Sequence, residues 1–322
     1  MGAGGKVLFI GGYSRSGSTL LDCMLGQLPD VFSTGELGYI WSHGLRENRL
    51  CGCGSRFLEC SFWRRVGETA FGGWEHVDVD RMVALERAVN RHRYMPLLLM
   101  PQGSRAFRRK LEQYAGVLGR IYRAIHLVSG ARLIVDSTID PAYGFVLANV
   151  RGLDVRLVHM VRDSRATAFS WTRWQRQRDR VDTVMYQRRF HPAMTAARWV
   201  IYHLLIHLLG RKTGPLETRV LYEDVVESPE DEICRIMRDI GEAVDEAQLS
   251  FLRPGEVVLE TNHTVAGSLM RLKKGPLPIR VDDEWRSALR SRHRRLVTLL
   301  TWPLLRAYGY RGATGAHSAR SS

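Results

Sequence analysis

The sequence predicts an α/β fold of the P-loop-like kind: a doubly wound parallel sheet flanked by helices, with a helical insertion between its strands. Three observations predict it. An apolar run, Val7-Leu8-Phe9-Ile10, enters a Gly- and Ser-rich turn and then Leu20, Leu21, Met24, Leu25 and Leu28 at helical spacing, the pattern of strand, loop and helix. Further apolar runs at 132–137, 155–161 and 219–222 are separated by helical segments; strands alternating with helices form a parallel sheet whose ligands sit beyond the strands' C-terminal ends. A chain of 322 residues, 45% apolar and 25% charged, can close a sizeable core, so one domain is expected over 1–311. The small, polar residues of 312–322 read as a disordered tail.

The first turn is built to cradle a phosphate. Glycines let the backbone approach an anion, the first N–H groups of the helix have no partners of their own, and Ser16, Ser18 and Thr19 add hydroxyl donors. Gly12 and Gly17 have the spacing of the G-x-x-x-x-G-K-[ST] pattern and Thr19 fills its last place, but Ser18 stands where the lysine belongs. Such a loop loses its reach to the outer phosphates of a nucleoside triphosphate, while Arg15 places a cation earlier, inside the turn. A different phosphate ester is therefore expected, with a purely structural tight turn as the plain alternative.

Lys and Arg total 47 against 33 acids, a net +14, and only five of the 47 are lysine. An arginine-dominated excess favours anionic partners: phosphate or sulfate esters, nucleic acid or an acidic membrane surface. The first residues carry no secretion signal, and the most apolar helix, 193–209, holds Arg198, His203 and His207 and falls short of a membrane span. A cytoplasmic protein is expected. Five cysteines argue against a disulfide framework. Cys51, Cys53 and Cys60, with His43 upstream, offer either zinc ligands at a non-standard spacing or sulfurs packed beside Phe62 and Trp63.

Residues 29–37 form a turn and a short extended piece that brings Glu36 back near the cradle by chain length alone. From about 39 to 129 the sequence is helical and irregular, with basic residues at Arg105, Arg108, Arg109, Lys110, Arg120 and Arg123; an insertion of this size suits acceptor recognition, and a solvated helical face is the plainer reading of its charges. Asp136, Arg162 and Tyr222 are expected at strand tips. Arg162 is followed eight residues on by Ser170, about two helical turns into the next helix. That pair could bracket a second phosphate, and two anion sites on one sheet edge point to a nucleotide phosphorylated at both ends of its ribose.

These motifs resemble those of sulfotransferases that use 3′-phosphoadenosine-5′-phosphosulfate (PAPS), among them bacterial members related to tyrosylprotein and carbohydrate sulfotransferases. Tyr13-Ser14-Arg15-Ser16-Gly17-Ser18-Thr19-Leu20 is similar to the family's 5′-phosphosulfate loop, and Val161-Arg162-Asp163-Ser164-Arg165-Ala166 through Ser170-Trp171 to its 3′-phosphate motif. Gly35-Glu36, Val135-Asp136-Ser137, Leu221-Tyr222-Glu223-Asp224 and His263-Thr264-Val265-Ala266-Gly267 match further elements in order. The resemblance implies that Arg15 and the loop from Ser14 through Ser16, Gly17, Ser18 and Thr19 hold the 5′-phosphosulfate. It puts Arg162 and Ser170 on the 3′-phosphate and Tyr222 near the adenosine, and has 263–271, with Gly267 and Arg271, close over the nucleotide. It also implies that Glu36 is the catalytic base, and that no metal is required. Ile139 stands where bacterial relatives commonly carry a lysine, leaving Arg15, Lys273 or Lys274 to supply the charge; Ser268-Leu269 replaces Asn-Pro in the closing loop.

The acceptor expected from the resemblance is the hydroxyl of a small molecule, glycolipid or carbohydrate. Two other readings compete. One is a P-loop nucleotide kinase with Asp136 on magnesium, against which Ser18 speaks. The other is a nucleic-acid-binding protein, prompted by the charge and by the basic and aromatic residues at 173–180; nucleic acid is not an expected partner. The C-terminal segment 285–310 combines arginines with Leu299, Leu300, Trp302 and Leu304, either a helix pair packed on the domain or a peripheral contact with anionic membrane.

Overall fold

The computed structural model describes residues 5–173, 176–177, 185–186, 189–214, 217–311 and 316–317. Most of the basic and aromatic stretch 173–180 and of the tail 312–322 lies outside them.

Five parallel strands form the central sheet: β1 (Lys6–Gly12), β2 (Val31–Ser33), β3 (Leu133–Ile139), β4 (Asp154–Val161) and β5 (Glu217–Leu221), in the order β2-β3-β1-β4-β5. Helices cover both faces, which is why the strands read as unbroken apolar runs rather than alternations. Val7 and Phe9 of β1 point into one core with Ile134 and Leu157, while Leu8 and Ile10 point into the other with Val135, Val158, Met160 and Val220. Helix α1 (Ser18–Leu25) packs in the second core through Leu20, Leu21, Met24 and Leu25. From β1 the chain crosses to β2 on one side, and from β4 to β5 on the other. The adjacent tips of β1 and β4 are thus where the strand order reverses, the place such sheets hold ligands.

The insertion lies on the first core. Its helices α2 (Ser61–Phe71), α3 (Val79–Val89) and α4 (Arg105–Ser129) bury Trp63, Val66, Val83, Leu111, Tyr114, Leu118 and Tyr122. The Ser104 hydroxyl caps α4 by accepting from the Phe107 amide at 3.3 Å. Arg105, Arg108, Arg109, Lys110 and Arg123 stand on its exposed side, the solvated face of an amphipathic helix, while Arg120 reaches across to α2, donating to the Ala70 carbonyl at 2.5 Å and lying over the Phe71 ring.

Short α5 (Pro141–Leu147) and α6 (Ser164–Thr172) follow β3 and β4, and α7 (Pro192–Thr213) packs beside α6 against the C-terminal α9 (Ser291–Ala307); α8 (Pro229–Asp239) covers the second core. Leu299, Leu300 and Trp302 of α9 are exposed, whereas Val297, Thr301 and Leu305 are buried. Among the described residues, no helix is long and apolar enough to cross a membrane.

One expectation is corrected. β3 runs on to Ile139, so Asp136 sits mid-strand and not at the tip. The register slips where Gly11 meets Ile139, and Ile139 takes a positive φ of 57°, a strained conformation for a β-branched residue.

The sheet is tightest at Gly12, where an added Cβ would lie 2.4 Å from the Met160 carbonyl oxygen of β4. Backbone cannot retreat as a side chain can. Gly12→Ala is expected to lower stability by about 1–3 kcal/mol, as overpacking does. Urea unfolding followed by circular dichroism checks this, and an unchanged midpoint would contradict the assigned contact.

Candidate functional site

The loop after β1 turns sharply. Arg15 has φ 74° and Gly17 φ 89°, and Gly17 immediately precedes α1, its carbonyl accepting from Leu20 and Leu21 at 2.9 and 3.2 Å. A Cβ on Gly17 would meet Tyr222 Cδ2 at 2.4 Å, so the tyrosine ring lies directly against the loop backbone. Ser16 and Ser18 are buried, Ser14 and Thr19 half-buried, and Ser16 Oγ has no hydrogen-bond partner. No acidic side chain occupies the first turn of α1. Amides, hydroxyls and the positive end of a helix therefore converge on one spot.

Arg162 joins this loop from the tip of β4. It is 6% exposed; its guanidinium stacks 4.3 Å from the centre of the Tyr222 ring, and Nη1 donates to the Arg15 carbonyl at 3.1 Å. Trp199 Nε1 holds the Arg162 carbonyl at 3.1 Å. Nη2 pairs with the half-exposed Asp282 carboxylate at 2.9 Å, and Nε is buried with no partner. The next residues are structural: Asp163 caps α6 and forms a buried pair with Arg165 at 2.6 Å. Ser170 lies half-buried in the last turn of α6, and beside it Trp171 offers its ring to the Arg15 guanidinium, 5.1 Å away. Burial weakens the hold of Arg15 on its proton; the Glu36 charge opposes this and the Arg162 charge adds to it.

Glu36 reaches the same region from the end of β2. Thr34, Gly35 and Glu36 are threaded between β3 and the segment 264–266: Thr34 N and Ser137 N bond Val135 O and Gly35 O at 2.9 Å, and Val265 N and Glu36 N bond Thr34 O and Ala266 O at 2.8 and 3.1 Å. Gly267 rests over Thr19, whose hydroxyl accepts from Ser268 N at 3.3 Å. Arg271, expected over the nucleotide, points inward. It is 1% exposed and donates to the carbonyls of Thr264 at 3.1 Å and Leu50 at 2.7 Å, pinning the segment from behind. Lys273 and Lys274 are exposed.

Beneath Glu36 lie two buried carboxyls. Asp136 is 0% exposed; one oxygen accepts from Tyr122 OH, the other from Thr138 N at 2.9 Å and from the Thr138 hydroxyl. That environment suits a structural anchor and not a magnesium ligand on the sheet edge. Asp22 accepts from Ser33 Oγ at 2.6 Å, and burial, with the Asp136 and Glu36 charges, pushes its carboxyl up to about 8.

The expected cysteine cluster forms, with a different histidine. His43 stacks on Tyr39 with ring centres 4.7 Å apart, while His263 from the closing segment turns Nδ1 toward Cys60 Sγ at 3.3 Å. Neither His263 nor Asp282 could be placed by local spacing, since their partners are 203 and 120 residues away.

No protein-family model and no curated protein matches the chain. Solved structures similar to it include three sulfotransferases. The sulfotransferase domain of the Synechococcus PCC 7002 olefin synthase is 22% identical, with 92% of this chain and 94% of that one covered and a TM-score of 0.43. The sulfotransferase domain of the curacin biosynthetic pathway is 16% identical, with 92% and 97% covered and a TM-score of 0.48. The sulfotransferase STF9 of Mycobacterium avium is 13% identical, with 77% and 66% covered and a TM-score of 0.44.

The Asp22 carboxyl generates a pH dependence. Its ordinary value is about 4; between there and 8 the unfolded chain has released a proton that the folded chain keeps, so stability falls as pH rises through this window. Asp22→Asn, which can still accept from Ser33, is expected to melt higher than the parent at pH 8.5, and the gap should shrink toward pH 5. Melting curves across that range test it; a gap that grows on acidification would be the opposite sign.

Proposed function

We propose that the chain is a sulfotransferase that moves a sulfuryl group from PAPS to a hydroxyl of a small-molecule, glycolipid or carbohydrate acceptor. The observation that carries the reading is the direct contact of two anion-binding elements. Arg162 bonds the loop carbonyl of Arg15 and stacks on the Tyr222 ring, which itself lies on Gly17. One cluster thus offers a phosphate cradle, a second buried guanidinium and an aromatic face, the complement of an adenosine phosphorylated on both sides.

In this reading the loop from Ser14 to Thr19 binds the 5′-phosphosulfate, Arg162 and Ser170 bind the 3′-phosphate, and Tyr222 flanks the nucleoside. As the sulfur–oxygen bond breaks, charge gathers on the bridging oxygen; Arg15, the hydroxyls of Ser18 and Thr19 and the first amides of α1 are fixed donors for it. Trp171 keeps the Arg15 guanidinium from swinging away. Glu36, electrostatically coupled to Arg15, takes the acceptor's proton. Ile139 supplies no cation, so Arg15 carries the leaving-group charge. The scheme requires no metal, because the transferred sulfuryl group carries less charge than a phosphoryl group.

Asp282 occupies the Arg162 Nη2 position that a 3′-phosphate would use, so the carboxylate has to move aside when nucleotide binds. Its half-exposed place makes that movement feasible. Isothermal titration with 3′-phosphoadenosine 5′-phosphate is expected to show binding that Arg162→Ala weakens by about a hundredfold, as loss of a charged hydrogen-bonding partner does. Asp282→Asn is expected to tighten it several-fold by removing a like charge. No binding by the parent protein would overturn the proposal. With labelled donor, Glu36→Gln should cut transfer by about 10²–10⁴ while leaving nucleotide affinity nearly intact; transfer at the parental rate would remove Glu36 from its role.

A further inference from the structure

We propose that Cys51, Cys53, Cys60 and His263 form a structural zinc site that fastens the helical insertion to the segment closing over the phosphate loop. The four ligand atoms all lie within 4.8 Å of one another. Cys53 Sγ and Cys60 Sγ are 3.8 Å apart, Cys51 Sγ and His263 Nδ1 3.8 Å, and Cys60 Sγ and His263 Nδ1 3.3 Å. Zinc bonds sulfur at about 2.3 Å and imidazole nitrogen at about 2.0–2.1 Å, so a regular tetrahedron has sulfur–sulfur edges of about 3.8 Å and sulfur–nitrogen edges of about 3.6 Å. The observed spacings have the size of that tetrahedron, and are far longer than a disulfide of about 2.05 Å.

The surroundings are those of a closed site. Cys51 and Cys60 are buried, Cys53 and His263 half-buried. Backbone N–H groups of Cys53 and Trp63 point at the sulfurs of Cys51 and Cys60 and help fix their positions. The His263 ring is fixed by stacking on Phe62, centres 5.1 Å apart, and its carbonyl accepts from Trp63 Nε1 at 2.8 Å. Three thiolates and one imidazole select zinc over harder cations, and four protein ligands leave no open position for substrate. The site is therefore structural.

Its placement says what it would hold. Three ligands come from one end of the insertion and the fourth from 203 residues away. Gly52 N bonds Thr264 O at 3.0 Å and Arg271 bonds Leu50 O beside the same cluster, so the metal reinforces an existing seam. Across that seam lie Ala266, which holds the Glu36 amide, and Ser268, which holds the Thr19 hydroxyl. Folding and metal binding should be coupled.

The inference rests on ligand geometry and stands apart from the proposed activity, because its test reads metal without nucleotide or acceptor. The full chain, after incubation with zinc sulfate and desalting, is expected to carry about one zinc by elemental analysis. Cys60→Ser and His263→Ala should lose it, and His263→Cys should keep it. Should the losing variants fail to fold, cobalt exchanged into the parent protein gives an independent reading, the intense visible bands of a tetrahedral thiolate site. Parent protein that retains no zinc after this loading would overturn the proposal, as would cobalt without those bands. So would a native mass two hydrogens lower, the mark of a Cys53–Cys60 disulfide.

Discussion

Arg162 ties together the tips of three strands: it extends β4, donates to the loop that leaves β1, and stacks on the tyrosine that follows β5. A guanidinium so deeply buried is expensive unless its donors are used. Here one donor is spent on a carbonyl, one on a half-exposed carboxylate, the flat face on an aromatic ring, and Nε on nothing. Such an arrangement positions the side chain while leaving part of its capacity to an anion. The loop after β1 depends on it, since the Arg15 carbonyl and the Tyr222 ring against Gly17 fix a turn in which a non-glycine residue holds a positive φ.

The second constraint is electrostatic and lies below. Glu36, Asp22 and Asp136 come close enough for their charges to be felt, and three ionised carboxylates there would repel. Asp136 is fed hydrogen bonds by Tyr122 and Thr138. Asp22 escapes by holding its proton at neutral pH, while the Glu36 charge is felt at Arg15, the cation of the loop; the proposed base is thus the carboxylate of this group that faces a guanidinium. Thr138 links this floor to the rest of the site, because its hydroxyl accepts from Gly38 N at 2.9 Å just beyond Glu36.

Much of this was legible in the sequence because it is local. Buried parallel strands must be apolar throughout, so the runs marked the sheet, and residues placed just after them, Arg162 and Tyr222, had to fall at its edge. Asp136 misled because an apolar run shows where a strand begins better than where it ends; Ser137, Thr138 and Ile139 look like a turn and continue the strand. Arg271 reads as a spare cation, and only the chain's path shows that it faces two carbonyls from behind. His43 was the nearest histidine in sequence to the cysteines, whereas His263 is the nearest in space. Pairings across hundreds of residues leave no spacing to count.

The segment 262–271 has the sequence of a lid and the bonding of a clamp. Its Val265 and Ala266 are paired to Thr34 and Glu36, Asn262 holds the Arg271 carbonyl at 2.8 Å, Arg271 holds Leu50 and Thr264, and His263 sits among three cysteines. Opening it would break these bonds together, a cooperative loss that thermal motion of a surface loop does not supply. Access to the cradle must then come from another side. Arg162 marks that side, since its pairing with half-exposed Asp282 is an ion pair that can be exchanged for another anion without unfolding anything. A bonded wall at Glu36 and an exchangeable ion pair at Arg162 divide the site into a fixed half and an adaptable half; in the proposed reaction the first would keep the geometry for proton transfer and the second would admit the nucleotide.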